Sequence, residues 1–235
     1  MEKISLIDIS QQLLLAVKTK EATANLLKEV KLSTQEHLIQ QLKNDADKKA
    51  FWINVYNAFT QIALLENPGD YRDKKTFFGN RFIEIADKTI SLDDIEHGLL
   101  RRSKLKWSLG YFSKIFPSAF ERNNRVDKVD YRIHFALNCG AKSCPPIAFY
   151  QPAQIDTQLD LATKSYLSNE VLYDETNNAI SLPAFIRWFS GDFGGKSKVV
   201  ELLQRLNIVP PGKRPAIEFR TYNWNLFLEN YSSDI

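Results

Sequence analysis

The chain has little of the residue types that usually build reactive and metal-binding sites. Its 235 residues include two cysteines, three histidines and one methionine. Two cysteines are too few for the disulfide framework of a small secreted domain. The N-terminal segment is interrupted by Asp8, Gln11 and Gln12, so it lacks the continuous apolar stretch of a secretory signal. We therefore expect a cytoplasmic protein with reduced thiols.

Long apolar runs and an excess of one charge are also lacking. No segment approaches the roughly 18 apolar residues that a membrane span needs. Thirty-one Lys and Arg against 28 Asp and Glu leave a net charge of +3, which is too small to predict binding to nucleic acid or to an anionic membrane. Two basic clusters, at 101–106 and 122–132, are interpreted as solvated faces. We expect neither nucleic acid nor a membrane as a partner.

One segment is similar to a phosphate-binding loop but has the wrong spacing. GDFGGKS (191–197) contains the Gly-Lys-Ser of such loops, yet Ser190 stands where their pattern requires a glycine. The residues before it are typical of a helix, whereas a phosphate loop follows a strand. We therefore expect no bound nucleotide and no other cofactor.

What is present is a pattern of helices and hairpins. Apolar spacing predicts helices, of which the clearest are 5–18, 45–65, 154–167 and 197–206. Ser33 and Glu36 have the spacing of a capping box, which predicts the start of a further short helix. Alternating apolar character predicts β-hairpins over 81–92 and 171–182.

The chain shows no Gly/Ser-rich or Pro-rich linker that would divide it into separate domains. The expected fold class is α+β, a predominantly helical single domain with a small, mainly antiparallel sheet built from hairpins. An N-terminal helical layer is expected over residues 1–44, packed on a main domain of residues 45–235.

Three amide side chains share one face of the long predicted helix. Asn54, Asn57 and Gln61 lie in a segment that is otherwise apolar enough to be buried on all sides. A buried amide without a hydrogen-bond partner costs about 1–3 kcal/mol. These side chains are therefore expected either to bond to the backbone of neighbouring loops or to contribute to a binding site.

The segment HFALNCGAKSCPP (134–146) concentrates both cysteines and one histidine. Alternation predicts a strand here, in which Cys139 shares the apolar face while His134 and Asn138 point to the other, polar face. Cys144 follows the turn at Gly140 and is expected to border the cleft that His134 faces. We therefore interpret Cys139 as a buried structural thiol and Cys144 as the candidate nucleophile.

Several arrangements of these residues remain open. A cysteine nucleophile needs an imidazole base and a group that orients this base. His134 or His97 could be the base, and Glu96, Asp94, Asn57 or Asn138 could orient it. A zinc site is disfavoured because the expected strand points Cys139 and His134 to opposite faces, and no metal is expected. A disulfide between the cysteines is disfavoured in a reducing compartment. Both thiols could also simply pack.

Several segments together resemble domain-of-unknown-function family 547 (DUF547). They spread over about residues 45–226, and the matching stretches are AFWINVYNA (50–58), ISLDDIEHGLLR (90–101), RIHFALNCGAKSCPP (132–146), ISLPAFIRWFSGDFG (180–194) and YNWNL (222–226). The family name carries no activity, so the resemblance implies a location for a site rather than a reaction. The polar positions that it implies are Asn54, Asn57, Glu96, His97, Arg101, His134, Asn138, Cys139 and Cys144.

The leading functional hypothesis is a thiol-dependent hydrolase or acyl-transferase that acts on an amide or a thioester. Its catalytic residues would be Cys144, His134, His97 and Glu96, and its binding residues Asn54, Asn57, Arg101 and Asn138. The alternative is a non-catalytic binding or scaffold module in which the same cluster is a structural polar network. The expected partner is accordingly a small-molecule or peptide substrate, or another protein.

Overall fold

Helices make up most of residues 4–232, the part of the chain that the computed structural model describes. The α-helices are α1 (Leu6–Thr19), α2 (Ala24–Leu32), α3 (Gln35–Gln41), α4 (Asp45–Glu66), α5 (Lys74–Gly79), α6 (Ala119–Asn124), α7 (Ile155–Glu170), α8 (Ala184–Trp188) and α9 (Lys196–Arg205). The strands are β1 (Arg81–Ile85), β2 (Lys88–Ser91), β3 (Leu172–Asp174), β4 (Ala179–Leu182) and β5 (Ala216–Phe219). The expected α+β class is confirmed.

Helix α4 lies at the centre of the larger core. The Asn44 side chain caps its first turn by accepting hydrogen bonds from the amides of Ala46 and Asp47. Nearly every residue from 48 to 61 is buried, so this helix has no solvated face over that stretch. A helix that is surrounded in this way must satisfy its polar side chains internally.

The N-terminal helices pack onto α4 through α1. Leu13 and Leu14 of α1 are fully buried and belong to the same core cluster as the apolar residues of α4. The predicted capping box is displaced by one residue, because the Ser33 hydroxyl donates to the Val30 carbonyl at the end of α2. Thr34 caps α3 instead and pairs with His37. The predicted boundary at residue 44 stays a prediction.

Two small sheets complete the fold. Strands β1 and β2 form the predicted antiparallel hairpin, with Ala86 and Asp87 in left-handed conformation at its turn. Strands β3 and β4 form the second antiparallel pair, and β5 joins β4 in parallel from the C-terminal segment. This places the residues after β5 beside the core of the domain.

The strand predicted around His134 is wrong. Residues Tyr131–Phe135 form a 3₁₀-helix, and residues 136–140 lie in irregular backbone outside the two sheets. All residues from 133 to 138 are buried. Alternating apolar and polar residues indicate side-chain direction only when one face of a strand is buried and the other is exposed to solvent. Because this segment is buried on all sides, its pattern gave no information on direction.

The structure also bears on the question of membrane crossing. Within residues 4–232, none of the helices combines the length and the apolar character that crossing a bilayer requires.

Candidate functional site

A cavity of about 390 Å³, half of whose lining residues are aromatic, is the candidate site. We call it the aromatic cavity. Eight aromatic side chains line it, namely Tyr56, Phe78, Trp107, Phe185, Trp188, Phe189, Tyr222 and Trp224. Its chemically active lining residues are Glu96, His97, His134 and Cys139. An apolar pocket with a few convergent polar groups is the usual form of a small-molecule site.

Glu96 and His97 are presented by a π-helix, Asp94–Leu100. Ser91 caps it as expected, because its hydroxyl accepts from the Asp94 amide while the Asp94 carboxylate accepts from the Ser91 amide. The helix therefore starts where the sequence predicts, but its turns are wider than α-turns. Such segments are rare and occur often at functional sites.

The protonation of His97 follows from its neighbours. Arg101 Nη1 lies 2.7 Å from His97 Nδ1, and a guanidinium can only donate. The neutral ring therefore carries its proton on Nε2, which is 3.5 Å from Asp93 Oδ1. Burial alone would raise the pKa of Asp93, but hydrogen bonds from His97 and Lys106 outweigh burial and leave this pKa lowered.

Asp192 joins Arg101 and His134 in one buried network. Its Oδ2 atom accepts hydrogen bonds from Arg101 Nε at 2.5 Å and from His134 Nε2 at 2.9 Å. The side chains of Arg101 and Asp192 are fully buried. Burial would raise the pKa of Asp192, but the bonds from His134 and Arg101 outweigh it and lower this pKa. Asp192 is therefore an ionised acceptor.

The His134 ring is fixed in orientation and tautomer. It stacks on Phe189 with 3.9 Å between ring centroids and an interplanar angle of 10°. Because Asp192 accepts from Nε2, the neutral ring has its lone pair on Nδ1. Burial lowers the pKa of His134 despite the opposing influence of Asp192, which favours this neutral form.

The two cysteines are in contact as free thiols. Their sulfur atoms are 2.6 Å apart, and the Tyr222 hydroxyl lies 3.4 Å from Cys139 Sγ and 3.2 Å from Cys144 Sγ. Cys139 is partly exposed and lines the aromatic cavity, whereas Cys144 is buried behind it and lines a separate, smaller cavity. The two thiols therefore differ in access to any ligand.

The contact also separates the acidities of the thiols. A hydrogen bond from Cys144 lowers the pKa of Cys139 and outweighs the effect of burial, and Tyr222 and the Ala141 amide act in the same direction. Burial and the hydrogen bond to Cys139 raise the pKa of Cys144. The lowered pKa therefore belongs to Cys139, the thiol residue that lines the aromatic cavity.

The asparagines predicted as binding residues bond to backbone. Asn54 bonds to both the carbonyl and the amide of Tyr150, and Asn57 joins the Ala136 carbonyl to the Asn138 amide. The Asn138 side chain itself bridges the Pro145 carbonyl and the Gly140 amide. All three are fully buried, and none of them is among the lining residues of the aromatic cavity. They hold the irregular segment that carries the thiols.

The C-terminal segment brings Tyr222 and Trp224 to the site. It runs beside residues 140–147, where the Lys142 amide donates to the Asn225 carbonyl and the Phe227 amide donates to the Gly140 carbonyl. Trp224 stacks on Trp188 at 5.7 Å between ring centroids. One wall of the cavity is therefore built by a segment distant in sequence from the thiols.

The structure also shows how metal-ligand side chains are distributed. Among residues 4–232, no group of three or more His, Cys, Asp or Glu side chains is placed to hold a metal ion. The four residues considered for zinc are otherwise engaged, because the thiols contact each other while the two imidazoles bond to Arg101 and Asp192.

Comparison with known proteins gives a family and no activity. The family model described as "Protein of unknown function, DUF547" matches residues 39–167, which is more than half of the chain. The chain belongs to the DUF547 family. No curated protein and no solved structure matches it significantly. The DUF547 match contains Glu96, His97, His134 and both cysteines.

The two thiols lie in the opposite positions to those predicted, and two site residues, Asp192 and Tyr222, were not predicted. Cys139, predicted to face the core, lines the cavity, and Cys144, predicted to border the cleft, lies behind it. Asp192 and Tyr222 lie outside the matched DUF547 residues. Asp192 was signalled by ISLPAFIRWFSGDFG (180–194), another stretch that resembles DUF547, although its GDFGG part also has the look of a phosphate loop. Tyr222 was signalled by YNWNL, one of the stretches that resemble DUF547.

Proposed function

We propose that this DUF547 protein is a thiol-dependent hydrolase or acyl-transferase with Cys139 as its nucleophile. The observation that carries the proposal is that the Cys139 sulfur and the His134 imidazole line one aromatic cavity while Asp192 holds the imidazole from behind. A nucleophile, a base and a group that orients the base are the three parts that such chemistry requires.

The environment of Cys139 favours reactivity at this sulfur over the other. The Cys144 thiol and the Tyr222 hydroxyl lie 2.6 Å and 3.4 Å from its sulfur, and hydrogen bonds donated from them to this sulfur would stabilise a thiolate. Cys144 then acts as a positioning residue rather than as the nucleophile suggested by the sequence. The residue Cys144 is only 5% exposed and is not among the lining residues of the aromatic cavity.

His134 serves as the proton carrier in this mechanism. It is neutral with its Nδ1 lone pair available, and Asp192 stabilises the imidazolium that forms when Nδ1 takes up a proton. His97 and Glu96 are further polar groups on the cavity wall, available to hydrogen-bond to a bound amide or thioester.

The chemical steps balance with water or another nucleophile as the only co-reactant. The Cys139 proton passes to His134, and the thiolate adds to the carbonyl carbon of the substrate. The bond from this carbon to nitrogen or sulfur breaks, and His134 returns the proton to the leaving amine or thiol. Water, deprotonated by His134, then attacks the acyl-Cys139 thioester, which releases a carboxylic acid and restores the thiol.

The shape of the site favours a bulky apolar acyl group. A volume of about 390 Å³ walled by eight aromatic side chains can bury an aryl or branched acyl chain. The polar side chains are few, so the reacting carbonyl would be the polar part of a mainly apolar ligand.

The test is acylation of the full chain by a series of aryl thioesters of increasing acyl size, followed by peptide mass spectrometry. We expect an acyl adduct on Cys139 in the native chain and none on this residue in Cys139→Ala. His134→Gln should slow formation of the adduct because the variant has no proton acceptor at that position. Alkylation with iodoacetamide over a pH series should show that Cys139 reacts at lower pH than a free thiol of pKa about 8.5.

Cys144→Ala is the matched control. It keeps the nucleophile but removes the hydrogen bond to Cys139, so alkylation of Cys139 should persist and require a higher pH. An adduct on Cys144, or equal alkylation rates for the two thiols in the native chain, would contradict the assignment. Failure of every thioester in the series to acylate Cys139 would contradict the reaction.

The second candidate function is a non-catalytic binding module. It is favoured by the fully buried Arg101–Asp192 ion pair, which lies behind the cavity and bonds to His97 and His134 in its wall. This function predicts that Cys139→Ala leaves ligand binding intact and that there is no acyl transfer to lose. Titration of the native chain and of Cys139→Ala with anilinonaphthalene sulfonate, an apolar anionic probe, measures the binding separately from the chemistry.

A further inference from the structure

The loop that follows Arg101 exposes an unusual set of large apolar side chains. We call residues 103–117 the apolar loop. Trp107 is 74% exposed, Phe112 63%, Ile115 84% and Phe116 92%. Single exposed apolar residues are normal on protein surfaces, but a contiguous group of this size marks an interaction site.

The exposed side chains project from a fixed backbone. The Leu105 amide donates to the Phe112 carbonyl, and the Lys114 amide donates to the Ser103 carbonyl. Within the turn, the Ser108 hydroxyl bonds to the Leu105 carbonyl and to the backbone of Phe112. At its tip, the Leu109 carbonyl accepts from the Gly191 amide, which attaches the loop to the segment that carries Asp192. The apolar side chains are therefore held outward by an ordered loop.

Within residues 4–232, two basic side chains beside the apolar loop have no acidic neighbour. Residues 101–120 contain five basic side chains and no Asp or Glu. Arg101 is buried against Asp192, and Lys106 and Lys114 are paired with Asp93 and Glu121. In the described part of the chain, by contrast, Arg102 and Lys104 have no acidic partner. The chain's net charge of +3 conceals this local excess.

We propose that the apolar loop docks on an anionic lipid membrane surface, with its aromatic and aliphatic tips in the headgroup region. Apolar and aromatic side chains flanked by basic residues are the composition that suits a peripheral contact with anionic lipids. This proposal replaces the expectation from sequence that no membrane takes part. That expectation rested on the net charge and on the absence of a spanning segment. Peripheral binding needs neither of these, because it depends on local charge and local apolar exposure.

Charge complementarity favours a lipid surface over a protein partner. A protein partner would need a concave surface that matches the shapes of four large apolar side chains. A lipid surface requires only apolar depth and positive charge, and the loop supplies both.

Docking would place the aromatic cavity close to the lipid. Trp107 and Leu109 belong both to the apolar loop and to the lining of the cavity. A ligand with an apolar chain could then pass from the bilayer surface to the cavity. The docking proposal does not depend on the proposed thiol chemistry, because it rests on exposure and charge alone.

The test is co-sedimentation of the full chain with phosphatidylcholine vesicles prepared with and without phosphatidylserine. We expect binding that requires phosphatidylserine and weakens as salt is raised. Ile115→Ser combined with Phe116→Ser should weaken binding by at least roughly tenfold, since both side chains lose their apolar insertion. Arg102→Ser and Lys104→Ser should each weaken it roughly fivefold. None of these four residues lines the aromatic cavity.

Matched control variants come from exposed residues elsewhere on the surface. Leu32 and Leu172 are 60% and 63% exposed, and changing both to serine should leave vesicle binding unchanged. Lys213→Ser combined with Arg214→Ser removes the same charge from another exposed site and should have a much smaller effect than the loop pair.

Three results would overturn the proposal. One is equal sedimentation with and without phosphatidylserine. Another is vesicle binding that the serine variants of Ile115 and Phe116 retain. The third is concentration-dependent self-association that these same variants abolish, measured by light scattering without lipid, which would identify the loop as an interface between copies of the chain.

Discussion

At the scale of single residues, Asp192 determines what the two histidines can do. It accepts hydrogen bonds from Arg101 and His134, and Arg101 in turn donates to His97. Asp192 fixes the tautomer of His134, which has its lone pair on Nδ1, and Arg101, which Asp192 holds, fixes that of His97, which has its proton on Nε2. The chemistry of the cavity depends on a side chain that is itself fully buried.

The buried His134 should make stability depend on pH. Burial lowers its pKa in the folded state below the value of about 6.5 expected in the unfolded chain. The unfolded state therefore binds more protons below about pH 6.5, and the free energy of unfolding should fall as the pH is lowered through this window. Urea unfolding at a series of pH values measures the slope.

His134→Gln is the variant that isolates this contribution. Glutamine can donate to Asp192 but has no titrating group, so the decrease that begins near pH 6.5 should become shallower. The lowered pKa of Asp192 contributes stability that is lost only below its unfolded value of about 3.9, so it affects a separate range. Parallel stability curves for the variant and the native chain from pH 7 to 5 would contradict the assignment.

At the scale of elements, the buried amide side chains of α4 hold irregular backbone in place through hydrogen bonds. Asn57 satisfies the Ala136 carbonyl and the Asn138 amide, which have no strand partner to bond. The amide face and its bonding to loop backbone are predictable from the sequence. The loop that it bonds to is not, because that segment lies about 80 residues further along the chain.

Asn57→Ala should destabilise the protein by about 2–6 kcal/mol. The change leaves one carbonyl and one amide buried without partners, and each such group costs about 1–3 kcal/mol. The measurement is the midpoint of urea unfolding for the variant and the native chain. Asn169→Ala, an exposed asparagine on α7, is the control and should change the free energy of unfolding by less than about 0.5 kcal/mol. Equal effects of the two changes would show that the amide bridge contributes nothing.

Elements differ in how far local sequence decides them. The predictions for α1, α4 and the first hairpin are confirmed, because caps, periodicity and turn residues act within a few positions. The strand predicted around His134 is wrong because a strand exists only with a partner, and none of the described strands pairs with this segment. The π-helix at Glu96 starts at the predicted cap, but no local sequence pattern predicts its wider turns.

At the scale of the whole molecule, the N-terminal helices and the main domain share one core. Leu13 of α1 is fully buried in the cluster that also contains Phe51 and Trp52 of α4. Shared burial of this kind couples the stability of both parts, so we expect a single cooperative unfolding transition.

Leu13→Ala should cost about 2–5 kcal/mol and keep that single transition. Thermal unfolding followed by far-ultraviolet and near-ultraviolet circular dichroism tests whether the two signals coincide. Leu15→Ala lies on the same helix at a position that is 49% exposed, and it should have little effect. An early, separate loss of helical signal in Leu13→Ala would show that residues 1–44 unfold as an independent layer.

The sequence by itself determined the α+β class, the main helices, the hairpins and the few motifs that contain the site residues. These features follow from hydrogen bonds and burial patterns between residues close in the chain. Only the tertiary structure decided which thiol meets the cavity, which carboxylate holds His134 and which tyrosine reaches the sulfurs. Asp192 lies 58 residues from His134, and Tyr222 lies 83 residues from Cys139. Contacts at such separations depend on how the whole chain packs, and local patterns do not encode them.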